Sequence, residues 1–149
     1  MKKTYRYLPL LLAALIPMGA AAEDHPAYLH ALTDLRAAHW LIEHRPPGSG
    51  KMQSDEQRAI MYIDQTLDEI KRAAIDDGKN LGDHPSEDAK LDRNGQLHRA
   101  AELLHKARSD IARDEDNGAA RGLRDRAIVH LDEAIRATDR AIQDATNRH

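Results

Sequence analysis

The feature that most constrains this chain is an internal repeat, in which two segments match after a shift of 68 residues. Residues 58–76 read RAIMYIDQTLDEIKRAAID, and residues 126–144 read RAIVHLDEAIRATDRAIQD. The same shift superposes four upstream residues, namely Leu29 on Leu97, His30 on His98, Asp34 on Glu102 and Leu35 on Leu103. Two separate matches at one offset indicate a duplicated two-helix unit. We therefore predict a first repeat over about residues 27–76, a linker over 77–94 and a second repeat over about residues 95–144.

Four segments carry apolar residues at helical spacing, which predicts four amphipathic helices. The stripes of the first repeat are Tyr28, Leu32, Leu35, His39 and Ile42, then Ile60, Ile63, Leu67, Ile70 and Ala74. The stripes of the second repeat are Leu97, Ala100, Ala101, Leu104, Ala107 and Ile111, then Ala127, Leu131, Ala134, Thr138, Ala141 and Ala145. The sequence RPPGSG at 45–50 ends the first helix. Ser54 and Gln57 have the spacing of a capping box that opens the second.

Composition selects the fold class. The chain has no Cys and no Phe, so its stability rests neither on disulfides nor on a large aromatic core. The shortage of Val, Thr and aromatic residues argues against strands, and the many Ala residues suit closely packed helices. We therefore predict an all-α protein, a four-helix antiparallel bundle built from a duplicated two-helix hairpin. Residues 23–149 form its single domain.

The first 22 residues have the pattern of a secretory signal peptide. Lys2, Lys3 and Arg6 precede a short apolar run over 8–16, and an Ala-rich site leads to cleavage after Ala22. We therefore expect a periplasmic or secreted protein. The apolar run is too short to cross a bilayer, and no later run approaches the necessary length, so we expect no membrane span in the mature chain.

Charge and motif content exclude several functional classes. Cleavage removes three of the 22 basic residues and none of the 25 acidic ones, which changes the net charge from −3 to −6. An acidic chain of this kind is unsuited to nucleic acid, because phosphate contacts need clustered Lys and Arg. The sequence contains no nucleophile elbow, phosphate loop or Ser-His-Asp spacing, and we predict no catalytic residues and no enzymatic activity.

Histidines on the third helix are the best metal-ligand candidates. His98, Glu102 and His105 follow one another at four- and three-residue steps, which places them on one helical stripe. Two imidazoles and a carboxylate suit Cu(II), Ni(II) or Zn(II). His30 and Asp34 are the repeat equivalents of His98 and Glu102 and define a weaker candidate site. The alternative interpretation is a solvated helix flank with an ordinary Glu–His pair.

Two function classes remain open at this stage. The leading hypothesis is a secreted or periplasmic, non-enzymatic helical bundle that binds a protein partner or divalent metal ions. The alternative is a redox bundle that depends on haem or a metal. His39, His130, Met52 and Met61 are its candidate axial ligands, because His and Met are common haem ligands.

Overall fold

A computed structural model describes residues 26–73, 80–87, 90–113 and 118–148, apart from the side chain of residue 119. Within these residues the chain forms four α-helices and no strand. They are α1 (Pro26–Glu43), α2 (Ser54–Ala73), α3 (Arg93–Ile111) and α4 (Gly118–Thr146). The prediction of an all-α four-helix bundle is therefore confirmed. The predicted signal peptide over 1–22 lies outside the described residues.

Local sequence explains where the helices begin and end. α1 begins at Pro26, since a proline at the first helical position loses no hydrogen bond. After α1, Gly48 and Gly50 adopt φ angles of +87° and +71°, a left-handed conformation that favours glycine. At the start of α3, the Asp92 carboxylate accepts a hydrogen bond of 2.7 Å from the N–H of Gly95 and caps the helix.

The cap of α2 differs from its prediction by one residue. The backbone N–H of Gln53 donates to the carboxylate of Glu56 at 2.8 Å, so the side chain that reaches back is Glu56 and not Gln57. Because α2 begins at Ser54, Gln53 is its capping residue and Glu56 occupies the third helical position. This difference matters below, because Glu56 also binds two arginines.

Neighbouring helices are antiparallel, and α1 packs mainly against α3 while α2 packs mainly against α4. Ion pairs join both ends of the second pair, because Asp55 contacts Arg140 and Glu69 contacts Arg126. The order around the bundle is therefore α1, α2, α4, α3, with α1 diagonal to α4. A shift of 68 residues brings α1 onto α3 to within one residue, whereas α4 extends beyond the shifted α2 at both described ends, and the duplication itself stays a prediction.

The chain between α2 and α3 crosses over along the outside of α1. Arg93 at the start of α3 donates to the carbonyl oxygens of Leu41 and Ile42, so α3 begins where α1 ends. α2 ends at the opposite end of the bundle, about 30 Å away for a helix of its length. Residues 80–87 of this crossover pack on α1, where the ring of His84 lies 5.3 Å from that of Trp40. The crossover therefore covers the face of α1 that points away from the other helices.

The core consists of Leu, Ile and Ala side chains from all four helices. The predicted apolar stripes are buried, except that Ile60 and Ala145 are half-buried and Ala74 lies outside the described residues. α1 is buried on every side over residues 34–39, since it has both the bundle and the crossover as neighbours. None of the described helices combines the length and the apolar content needed to cross a bilayer.

Candidate functional site

The three predicted metal ligands lie on the exposed side of α3. His98, Glu102 and His105 are all exposed, and none of them belongs to the core. Arg99 donates to the Glu102 carboxylate at 3.1 Å, and this ion pair occupies the central residue of the candidate site. The positions on one helical stripe agree with the predicted spacing, but metal binding there stays a prediction.

The carboxylate of the weaker candidate pair on α1 already has a partner on α3. Both carboxylate oxygens of Asp34 accept hydrogen bonds from Lys106 of α3, at 3.0 and 2.8 Å. His30 is exposed, whereas Asp34 is buried. Across the described residues, no three His, Asp or Glu side chains converge in an arrangement that could hold a metal ion.

The candidate axial ligands of a haem have other neighbours. The two ring nitrogens of His39 lie 3.6 Å from Glu43 and 3.4 Å from Asp64. His130 stacks on Tyr62 of α2, with 6.3 Å between ring centroids. The two imidazoles therefore face different sides of the bundle, His39 the junction of α1 with α2 and His130 the junction of α2 with α4. These contacts do not favour the redox alternative.

The outer side of α2 and α4 carries the most distinctive surface. Its centre is the stack of Tyr62 on His130, two residues that the repeat offset makes equivalent. The residue before each ring is apolar and exposed, with Met61 at 46% and Val129 at 60% of full exposure. Within the described part of the chain, only Leu29 and Leu81 are also large, apolar and exposed. We refer to Met61, Tyr62, Val129 and His130, with the arginines around them, as the α2–α4 face.

Four arginines lie on this face, and three of them pair with carboxylates that are largely buried. The side chains of Arg58, Arg126, Arg136 and Arg140 are 42–56% exposed. The carboxylates of Asp55 and Glu69, which pair with three of them, are only 16% and 12% exposed. The fourth pair joins Arg136 to Glu133 at 2.6 Å. The α2–α4 face therefore presents guanidinium groups to solvent and hides much of the negative charge that balances them.

These pairs shift the ionisation of their carboxylates. The hydrogen bond from Arg126 is the largest influence on Glu69 and lowers its pKa, and the charge of Arg126 adds to this effect. The hydrogen bond from Arg136 likewise lowers the pKa of Glu133. Both ion pairs therefore favour the ionised form of their carboxylates.

A buried polar junction joins three helices at the end of the bundle where α2 and α3 begin. Glu56 of α2 is buried and contacts Arg45, which follows α1, and Arg93, which begins α3. Arg93 also donates to two carbonyl oxygens at the end of α1, as described above. Arg45 donates to the carbonyl oxygen of Ser49 at 2.6 Å. The junction therefore orders the 45–50 loop and ties α3 to α1.

A second polar cluster lies in the groove between α1, α2 and the crossover. The groove encloses about 270 Å³ and is lined by Arg36, Asp64, Leu67, Asp68, Lys71 and Leu81. Burial is the main influence on Asp64 and raises its pKa; His39 opposes this effect, while Asp68 and Glu43 add to it. The cluster favours the protonated form of Asp64 more than water does, but it contains no nucleophile of the Ser or Cys type.

Comparisons with known proteins give no match: no family model, no curated protein and no solved structure matches this chain. The function must therefore be argued from the residues and contacts described above.

Sequence reasoning missed both Glu56 and the α2–α4 face. Nothing in the sequence around Glu56 distinguishes it from an ordinary acidic residue in the first turn of a helix. For the α2–α4 face a signal was present, because Met61 and Tyr62 align with Val129 and His130 at the repeat offset. Only the pairing of α2 with α4 shows that these two positions are adjacent.

Proposed function

We propose that this protein is a non-enzymatic helical bundle of the periplasm or the cell exterior that binds a protein partner through the α2–α4 face. The observation that carries the proposal is the ring of outward guanidinium groups around exposed Met61 and Val129. Tyr, Met and Arg are enriched at protein interfaces, where Lys and Glu are depleted. The metal-binding alternative has less support, because Arg99 holds the central carboxylate of its candidate site.

Charge indicates the chemistry of the partner. The chain as a whole is acidic, yet the α2–α4 face exposes arginines over largely buried carboxylates. Complementarity therefore favours a partner whose contact surface has an apolar centre and an acidic rim. Rim charges act mainly on the association rate, so binding should weaken as salt is added.

Site-specific photo-crosslinking in the native compartment tests this proposal. A photoreactive residue replaces Val129, and in separate variants it replaces Met61 or the exposed Leu29 of α1, which serves as the control. We expect one identifiable protein adduct from the Val129 and Met61 variants and none from the Leu29 variant. The same adduct from all three positions, or none from either helix, would refute the proposal.

Charge reversal then tests the role of the arginines with the identified partner. Because exposed arginines on an interface often contribute 1 kcal/mol or more each, Arg136→Glu with Arg140→Glu should weaken binding by about tenfold or more. Arg113, an exposed arginine that pairs with Asp110 near the end of α3, is the matched control for Arg→Glu replacement. Equal affinity of the wild type, the double variant and Arg113→Glu for the partner would exclude Arg136 and Arg140 from the interface.

The remaining alternatives have their own measurements. Intact-mass analysis of the exported protein should show a chain that begins after Ala22, whereas retention of residues 1–22 would contradict export by cleavage. Elemental analysis and visible absorption of protein purified from its native source separate partner binding from a metal or haem function. A stoichiometric transition metal or a visible absorption band would replace the present proposal with the metal or redox alternative.

A further inference from the structure

A cavity of about 380 Å³ opens at the end of the bundle where α1 and α4 end and α2 and α3 begin. Its walls are the loop after α1, the start of α3 and the end of α4. The volume falls within the range of roughly 300–1,000 Å³ that is typical of small-molecule sites. The cavity lies apart from the α2–α4 face and from the predicted metal ligands on α3.

The floor of this cavity holds more positive than negative charge. The side chains of Arg45 and Arg93 are 14% and 10% exposed, and both pair with the single carboxylate of Glu56, which is 3% exposed. Two further charges line the cavity, Arg148 and Asp92. Asp92 is already engaged in capping α3. Three guanidinium groups thus face two carboxylates.

Backbone groups only partly compensate for this excess. Arg93 donates to Glu56, to the carbonyl oxygens of Leu41 and Ile42 and to the side-chain oxygen of Gln96, and these bonds use all of its nitrogens. Arg45 donates to Glu56 and to the carbonyl oxygens of Ser49 and Gly50, which leaves two of its five N–H groups for another acceptor. These carbonyls are dipoles and carry no net charge. Burial lowers the pKa of Arg93, and the charge of Arg45 lowers it further, against the opposing effect of Glu56. A buried guanidinium group whose charge is opposed by burial and by a neighbouring cation is stabilised by an additional anion.

The rest of the cavity wall is apolar. Pro46, Pro47 and Ala145 line it beside the guanidinium groups. Planar guanidinium groups match the geometry of carboxylate and phosphate oxygens and bind them through paired hydrogen bonds. The combination suits a ligand with one anionic group and a short carbon skeleton.

We propose that this cavity is a binding site for a small organic anion. Its carboxylate or phosphate group accepts hydrogen bonds from Arg45 and Arg148, the charge of Arg93 adds to the attraction, and its carbon atoms lie against Pro46 and Pro47. The site is independent of the partner-binding face, so either proposal can fail alone.

Titration followed by amide NMR tests the site. Sodium butyrate and inorganic phosphate are added separately, each against sodium chloride at matched ionic strength. We expect saturable shifts of the amide signals of Gly48 and Ser49, which line the cavity, and none at Gly82 or Gly122. A stronger response to butyrate identifies a carboxylate ligand, and a stronger response to phosphate identifies a phosphate ligand. Absence of a saturable shift at Gly48 and Ser49 with both anions overturns the proposal.

Two arginine variants decide whether the guanidinium groups are responsible. Arg148 is exposed and donates a hydrogen bond to the carbonyl oxygen of Asp144 on its own helix. Arg148→Ala should therefore fold normally. We expect about tenfold weaker anion binding from the loss of one charge-assisted contact. Arg113→Ala, near the end of α3 and therefore at the opposite end of the bundle, should bind as the wild type does. Unchanged binding in Arg148→Ala, or an equal loss in Arg113→Ala, contradicts the site.

Discussion

α1 and α3 occupy equivalent positions in the predicted repeat, yet they have different surroundings. α1 is buried on every side over residues 34–39, whereas α3 keeps an exposed flank that includes His98, Glu102 and His105. The acidic residues at matching positions show the contrast. Asp34 is buried and binds Lys106 of the neighbouring helix, while Glu102 is exposed and pairs with Arg99 on its own helix.

The difference between these helices has two sources, the crossover that packs on α1 and the sequence of α1 itself, which carries fewer charged residues than that of α3. Residues 80–87 lie over α1, where His84 contacts Trp40, and Glu87 pairs with Arg99 at the edge of α3. A helix with neighbours on all sides buries polar residues as well as its apolar stripe. Equivalent apolar patterns therefore do not imply equivalent exposure.

The largest effect is expected at the junction that ties α3 to α1. Glu56→Ala leaves the guanidinium groups of Arg45 and Arg93 buried without their carboxylate, and loss of one partner of a buried ion pair costs about 3–5 kcal/mol. Glu102→Ala removes only an exposed pair and should change the free energy of unfolding by less than about 0.5 kcal/mol. Urea denaturation of both variants measures the difference. Equal effects would mean that the junction does not stabilise the fold.

The next effect concerns the core, where the two helices should behave alike. Leu35 of α1 and Leu103 of α3 match at the repeat offset, and both are buried. Replacement of either by Ala removes buried methyl groups and leaves a cavity, at a cost of about 2–5 kcal/mol. Thermal and urea denaturation give the two values. A small cost for only one of them would show that the helices are not equivalent in the core.

A smaller effect separates the two acidic residues. Asp34→Asn weakens two hydrogen bonds to Lys106, whose ammonium group remains solvated, so we expect a loss of about 1 kcal/mol. Glu102→Gln should stay within about 0.5 kcal/mol of the wild type. Both substitutions replace a carboxylate with an amide of the same shape, so they differ mainly in how deeply the side chain is buried. A larger cost for Glu102→Gln would contradict the assignment of α1 as the covered helix.

The dependence of stability on pH extends the comparison to Asp64 of α2 and Asp132 of α4, which also match at the repeat offset. Burial raises the pKa of Asp64, so the ionised carboxylate opposes folding at neutral pH. As the pH falls through the raised pKa, the carboxylate becomes protonated and the free-energy cost of burying its charge disappears. Asp64→Asn should therefore be at least as stable as the wild type at pH 7, with the advantage vanishing below the ordinary pKa of 3.8.

Asp132 is the control, because Arg108 donates to both of its carboxylate oxygens. Asp132→Asn should lose a little stability at pH 7 and gain none. Unfolding free energies at pH 7 and pH 3 for both variants provide the test. A clear loss at neutral pH in Asp64→Asn would show that its contact with His39 outweighs the effect of burial.

The last comparison changes an affinity and leaves the fold intact. If the exposed flank of α3 is a site for Cu(II), Ni(II) or Zn(II), His98→Ala and His105→Ala should each weaken metal binding. His30→Ala should not, because the neighbouring carboxylate of Asp34 is engaged in an ion pair with Lys106. Binding should also weaken below about pH 6, where imidazoles become protonated. Calorimetric titration of the three variants is the measurement. Unchanged affinity in the two α3 variants would return these residues to a solvated helix flank.

Much of the fold follows from sequence alone, because helical periodicity is a local property. The positions of Leu32, Leu35 and Ile42 define the buried side of α1 whatever surrounds the helix, and RPPGSG ends it through backbone restrictions that act within a few residues. The second helix starts at Ser54 as the sequence indicates, but its cap lies one residue earlier than predicted, with Gln53 in place of Ser54 and Glu56 in place of Gln57.

The candidate sites depend on contacts between segments that are far apart in the chain. Glu56 meets Arg93 across 37 residues, and Tyr62 meets His130 only because α2 packs against α4. The route of the crossover decides that α1 is covered while the flank of α3 stays exposed, and no periodic pattern in that polar segment predicts its route. Sequence determined which residues form helices and core, since those preferences act locally. Tertiary structure alone decided which charges are buried together and which surface remains free, because those outcomes depend on the packing of distant segments.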